Sequence, residues 1–380
     1  MGTLLSTLMR RTRRGDAGRF SRRRSDVAAS GALLLLLLPP LLFLQRSWRG
    51  IRDKEAFIAK MLPVHFAHWL RKSRAFLRAY DFATTFLLAA GLAVGRPALA
   101  LRHFFPTLRV SRDLRYSVAS RSCVCDVYCK KDNEKKVKPA VIFVHGGVWT
   151  HGSKFQYRLV GEQLAEQGFV VMVGSYRTYP EGNSIDMAGD VVSMLKFWAE
   201  HAGSFQSSIT KTVLLSHSSG AHICSLALMS NSAAAARIGG AAFLNGVFDV
   251  KAHYEFEKAR GVHEISMLAE ACDRKNDINF RHVSVTNLVP FRNDSRLPPI
   301  LLVHGFDDNV VPFHQSETFA SALRKRGQPC TVRIFHATHA SPLLACILGN
   351  IDDPAMSQIV RWARNTAKRS VASDGEWAIL

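Results

Sequence analysis

Two regimes of hydrophobic patterning divide the chain. Up to about residue 104, apolar residues come in long unbroken blocks. "VAASGALLLLLLPPLLFL", Val27 to Leu44, is eighteen residues without a charge, and "FATTFLLAAGLAVG", Phe82 to Gly95, runs for fourteen before Arg96. From Pro139 onward the apolar blocks shorten to strand length: AVIFV, FVVMVGSY, TVLLS, AAFLNG, PILLVHG and TVRIFH. Between them lie amphipathic stretches near 157–167, 184–202, 219–231, 313–326 and 353–367. Strands alternating with helix-length segments predict an α/β domain, a mostly parallel sheet with right-handed crossovers and helices on both faces. In such sheets ligands meet the carboxyl ends of the strands.

Charge sharpens this division. The chain has a net charge of +20, but residues 1–138 hold 28 Lys/Arg against 9 Asp/Glu, and residues 139–380 hold 22 against 21. The excess belongs to the N-terminal part and accompanies apolar blocks, which fits an anionic membrane surface better than a nucleic-acid groove. No nucleic-acid recognition motif accompanies the arginines. Three regions are expected: a basic arm at 1–26, a membrane-associated hydrophobic region at 27–104 with one or two spans, and a catalytic domain at 105–380. A span needs roughly 20 apolar residues, and no small-x-small cleavage site follows the first block, where the chain reads "LQRSW". "MGTLLS" at the N-terminus also matches the pattern for myristoylation of Gly2. Seven cysteines without regular pairing point to a reducing compartment. Cys123, Cys125 and Cys129 alternate as one strand face does, and no second Cys/His pair at zinc spacing follows, so no metal is expected.

The chemistry-bearing residues collect after the predicted strands. "HGGVWTHG" follows AVIFV, and two glycines directly after a strand let backbone N–H groups face a developing oxyanion. "SHSSGAH" joins TVLLS to the next helix with the spacing of a nucleophile elbow, Ser218 at its apex. There Ser216 stands where glycine is usual, and Ser219 brings its N–H to a helix start. "FDDNVVP" follows PILLVHG and offers Asp307 or Asp308 as an orienting acid. "ATHASPL" follows TVRIFH, with His336 at the strand end and His339 beyond it. The order serine, aspartate, histidine suits a hydrolase of the α/β type.

These motifs resemble the α/β-hydrolase superfamily, and within it the isoprenylcysteine α-carbonyl methylesterase group. "HGGVW", "SYRTYPEGNSIDMAGDV", "SSGAH" and "HGFDD" match that group's oxyanion loop, the strand ending in Tyr-Arg, the elbow and the acid loop. "HYEFEKARGVHEIS" resembles its region after the sixth strand, and "CDVYCK" its "DVY" strand. The resemblance covers roughly 105–370. It implies Ser218 as nucleophile, Asp308 as orienting acid and His339 as general base, with Gly146, Gly147 and Ser219 at the oxyanion hole. It further implies hydrolysis of the methyl ester on the C-terminal prenylcysteine of prenylated proteins or peptides, without a cofactor. The expected setting is the endoplasmic reticulum or Golgi membrane, catalytic domain cytosolic, the N-terminal region holding membrane lipid. Two departures stand out: Ser216-His217 before the nucleophile, and "ATHASP" around the histidine.

Trp149 and His222 are the candidate substrate contacts, each with a competing reading as packing. Arg177 and Asp190 are expected to pair as structural support. The stretch of about 248–297 is too long for a plain connection and reads as a helical lid. Two other functions use the same residues differently: a general carboxylesterase or arylformamidase-like hydrolase, and a catalytically inactive hydrolase-like binding module.

Overall fold

The computed structural model describes residues 108–131, 136–229, 237–263, 266–272, 279–289 and 297–368, with positions 83, 86 and 98. The basic arm and, apart from those three positions, the expected membrane region lie outside the described residues. Among the described residues no helix is long and apolar enough to cross a membrane.

Eight strands form one sheet: β1 (Arg109–Arg115), β2 (Val124–Cys129), β3 (Ala140–Val144), β4 (Val170–Gly174), β5 (Thr212–His217), β6 (Gly240–Leu244), β7 (Ile300–Gly305) and β8 (Cys330–Phe335). Their spatial order is β1-β2-β4-β3-β5-β6-β7-β8. β2 pairs antiparallel with β1 and β4, and every other pairing is parallel. The central strands β3 to β7 are buried along their whole length. That explains their unbroken apolar runs, because strands covered on both faces do not alternate.

The α-helices described in full between residues 108 and 368 are α1 (Arg158–Glu166), α2 (Ser184–His201), α3 (Ser219–Met229), α4 (Val250–Ala259), α5 (Leu268–Ala271), α6 (Val285–Leu288), α7 (His314–Lys325), α8 (Ser341–Ile347) and α9 (Pro354–Lys368). One face of the sheet packs against α2, α3, α7 and the segment between β6 and β7, through Trp198, Ile223 and Phe319. The other packs against α1, α8 and α9, through Leu164, Cys346 and Ile359. Successive residues of β3 divide between the layers, Ile142 and Val144 to the first, Val141 and Phe143 to the second. Cys123, Cys125 and Val127 share the first layer, with Cys129 packed against it. α2 starts at a capping box, the Asn183 side chain accepting from Asp186 N–H and the Asp186 side chain from Asn183 N–H. β1 adds an edge strand that apolar patterning does not signal, since "RVSRDLR" is polar and half-exposed.

Candidate active site

The turn from β5 into α3 is sharp. Ser218 sits at its apex with φ 55, in the left-handed region that a non-glycine residue adopts only where its surroundings enforce it. Its N–H donates to the Leu244 carbonyl at 3.0 Å, pinning the apex to the end of β6. Two residues on, a Cβ at Gly220 would lie 2.2 Å from the His145 carbonyl oxygen, so no side chain fits there. Ser216 is fully buried and occupies the corresponding place on the strand side.

Three loops converge on this apex. Ser218 Oγ lies 2.9 Å from His339 Nε2, and His339 Nδ1–H donates to Asp308 Oδ2 at 2.7 Å. Asp308 Oδ1 accepts the N–H groups of Val310 and Val311, both at 2.9 Å. His304 Nε2 stands 3.5 Å from Oδ2. Burial by itself raises the pKa of this carboxyl, but the hydrogen bonds from His304, His339 and Val311 and the histidine charge outweigh it. Asp308 is held well below the usual carboxylate range and is ionised. The neighbouring Asp307 turns outward, 3.5 Å from the exposed His336. Of the two aspartates and two histidines, Asp308 and His339 are the pair that lies at hydrogen-bond distance in series with Ser218.

The loop after β3 lies directly against the apex. A Cβ on Gly146 would come within 2.9 Å of Ser218 Cβ. Gly147, Val148 and Trp149 all have positive φ, at 136, 45 and 62. The resulting turn folds Thr150 and His151 N–H back onto the Gly147 carbonyl, at 2.9 and 3.1 Å. Ser219 begins α3, where the first N–H groups have no intrahelical acceptor. The 145–152 loop is braced from several sides. The His145 ring stacks between Tyr157 and Tyr176 at 5.4 and 4.5 Å, and Tyr176 Oη–H donates to the His145 carbonyl at 2.9 Å.

Trp149 and His222 are brought together, but inside the protein. The indole N–H of Trp149 donates to His222 Nδ1 at 3.0 Å, and His222 Nε2–H donates to the Val283 carbonyl at 2.8 Å. Trp149 is 2% exposed and His222 0%. Burial pushes His222 down to about 4, so the ring is neutral and one nitrogen can accept while the other donates. The pair ties the 145–152 loop to the segment between β6 and β7 and presents no open wall to a substrate. Arg177 and Asp190 form the expected bidentate pair, with N–O distances from 2.8 to 3.2 Å. Two residues with close contacts to the His339 loop, His217 and Asn245, carry no signal in the sequence beyond a departure from the elbow pattern and a polar residue ending "AAFLN". Among the described residues no group of three or more His, Cys, Asp or Glu is arranged to hold a metal ion.

The arrangement supplies a hydroxyl with a proton acceptor at hydrogen-bond distance, an ionised carboxylate behind that acceptor, and a glycine loop beside the hydroxyl. These are the parts that acyl transfer through a serine requires.

Known proteins resemble this chain in sequence and in structure. The family model BD-FAE matches residues 125–323, just over half of the chain. A protein of Oryza sativa subsp. japonica described as "Probable isoprenylcysteine alpha-carbonyl methylesterase" is 30% identical over 253 residues, covering 64% of this chain and 61% of that protein. Esterase LipC of Mycobacterium tuberculosis is 30% identical over 234 residues, covering 58% of this chain and 57% of its own length. This chain therefore spans about six tenths of the length of these relatives. The crystal structure of esterase B from Lactobacillus rhamnosis superposes with a TM-score of 0.57 at 18% identity, over 75% of this chain and 97% of that one. That superposition identifies the architecture as the α/β-hydrolase fold.

Proposed function

The chain belongs to the BD-FAE family of α/β-hydrolases, and from that premise we propose that it is a serine esterase whose preferred substrate is the methyl ester of a C-terminal prenylcysteine. The observation that carries the reaction class is the hydrogen-bonded series Ser218–His339–Asp308. His339 Nε2 takes the proton of Ser218 Oγ as that oxygen attacks the ester carbonyl. The tetrahedral oxyanion is held by backbone N–H groups at Gly146, Gly147 and Ser219, donors whose loss costs about 3–4 kcal/mol in comparable sites. The bond to methoxide breaks as His339 returns the proton, releasing methanol and leaving an acyl-serine. Water then attacks under the same base, and Ser218 Oγ recovers its proton. Asp308, ionised throughout, orients the imidazole and stabilises it when charged.

Support for the methyl ester of a prenylcysteine comes from the rice relative's description and from the match of "HGGVW", "SSGAH" and "HGFDD" to that group. The segment of about 248–297 acts in this reading as a lid that selects the ester. The N-terminal region associates with membrane lipid at the endoplasmic reticulum or Golgi, catalytic domain on the cytosolic side, so that the lipidated chain end and the enzyme share one surface. Similarity to esterase LipC favours a second reading, a general carboxylesterase. Hydrolysis of S-farnesylcysteine methyl ester beside a short acyl p-nitrophenyl ester, with Ser218→Ala as control, separates them. Strong preference for the prenylated ester, lost in the variant, is expected. Turnover of the short ester alone points to the general esterase, and turnover of neither to an inactive binding module.

A further inference from the structure

The His339 loop is half-exposed, with Thr338 and Ala340 open to solvent, yet its histidine must meet Ser218 Oγ to within a few tenths of an ångström. Surface loops are more mobile than the elements they connect, so something must hold this one. Its Ala337 carbonyl accepts from Asp307 N–H at 3.1 Å and its Thr338 carbonyl lies 3.4 Å from Asn245 Nδ2, and two side chains converge on the next carbonyl. The His339 carbonyl oxygen accepts from His217 Nε2–H at 2.9 Å and from Asn245 Nδ2–H at 2.6 Å. Both donors are buried, His217 to 7% exposure and Asn245 to 0%. The two imidazoles of His217 and His339 lie 4.8 Å apart, centre to centre.

Asn245 reaches further. Its Oδ1 accepts the N–H of Gly305 at 2.9 Å, three residues before Asp308. The carbonyl of its chain neighbour Leu244 accepts the N–H of Ser218 at 3.0 Å. Residues 244 and 245 therefore touch all three loops that carry the candidate catalytic side chains. Asn245 holds φ 50 to do so, a left-handed conformation that asparagine tolerates better than most residues. Such backbone strain persists where surrounding structure over-determines it.

We infer that Asn245 and His217 are positioning residues, a two-donor clamp on the His339 carbonyl that sets the imidazole against Ser218; this rests on the esterase reading above. The histidine before the nucleophile then has a task of its own. Burial keeps its ring neutral, and the only ring proton goes to the clamp, leaving Nδ1 without a partner.

The test is the second-order rate constant for phosphonylation of Ser218 by a fluorophosphonate in the full-length protein, measured with the labelled fraction and the melting temperature. Misplacing a reacting group by about 1 Å costs on the order of 100-fold, so His217→Phe and Asn245→Ala are each expected to slow labelling about 10- to 100-fold, with the labelled fraction still approaching that of the wild type. His217→Gln, whose amide N–H can donate, recovers most of the rate. The double variant loses less than the product of the single losses, because both side chains act on one carbonyl. His217→Phe leaves Gly305 satisfied and so tests the clamp even if Asn245→Ala fails to fold. Unchanged rate constants, or a reduced labelled fraction at an unchanged rate constant, would overturn the clamp while leaving the esterase. A wild type that takes no label at Ser218 overturns the esterase reading and the clamp with it.

Discussion

Acid should dismantle this protein from its histidines. His145, His217, His222 and His253 are all buried, at 0, 7, 0 and 4% exposure. Burial is the main cause that pushes His145 and His222 down to about 4, and His217 and His253 down to about 3. In the unfolded chain each returns to about 6.5. The folded values being the lower ones, the unfolded state binds more protons between those limits, so stability is present above pH 6.5 and is lost as pH falls toward 4. At pH 5.5 the loss is roughly 1–1.5 kcal/mol per histidine, about 4–6 kcal/mol in all, against a total of about 5–15 for a typical domain. Asp308 adds to the loss only below its unfolded value of 3.8, outside this window. The assay is the urea midpoint of unfolding, followed by tryptophan fluorescence at pH 7.5, 6.5 and 5.5. A steep fall between the last two is expected, with activity lost together with structure. Midpoints that stay level down to pH 5.5 would refute the assignment of these rings as buried and neutral.

Other perturbations read the site more locally. Asp308→Asn should lower kcat by about 10⁴ in line with comparable serine hydrolases, whereas Asp307→Asn, on the outward side, should change kcat little; steady-state hydrolysis of a p-nitrophenyl ester compares them. Gly146→Ala drives a methyl to 2.9 Å from Ser218 Cβ, and kcat is expected to fall at least about 100-fold while circular dichroism stays native. Trp149→Phe leaves His222 Nδ1 buried without its donor, which should cost about 1–3 kcal/mol in urea unfolding.

Most of what positions the site was legible because each chemical residue follows a parallel strand. Ser218 and Asp308 stand just after TVLLSH and ILLVHG, buried parallel strands that announce themselves as apolar runs, and His339 follows CTVRIF, a half-buried outer strand whose Val332, Ile334 and Phe335 still mark it as one. Gly146, Gly147 and Gly220 were legible for a related reason, since only glycine fits where backbones approach so closely. β1 escaped notice because an exposed edge strand has no apolar face to display, and the register shift between Ser111 and Leu114 spoils its alternation. The contacts of His217 and Asn245 with His339 join residues 122 and 94 positions apart. No local period encodes such a pairing. Trp149 and His222 appeared as candidate substrate contacts because an aromatic beside a glycine loop and a histidine one turn past a nucleophile suit a pocket equally well. Burial, which sequence does not display, turns them inward.

The most direct measurement is of the acyl-enzyme itself. Mixing the protein with a p-nitrophenyl ester and quenching in acid should trap one acyl group per chain, and peptide mass spectrometry should find it on Ser218, with none on the Ser218→Ala variant. An acyl group on another residue, or full turnover by Ser218→Ala, would contradict a serine esterase built on Ser218, His339 and Asp308.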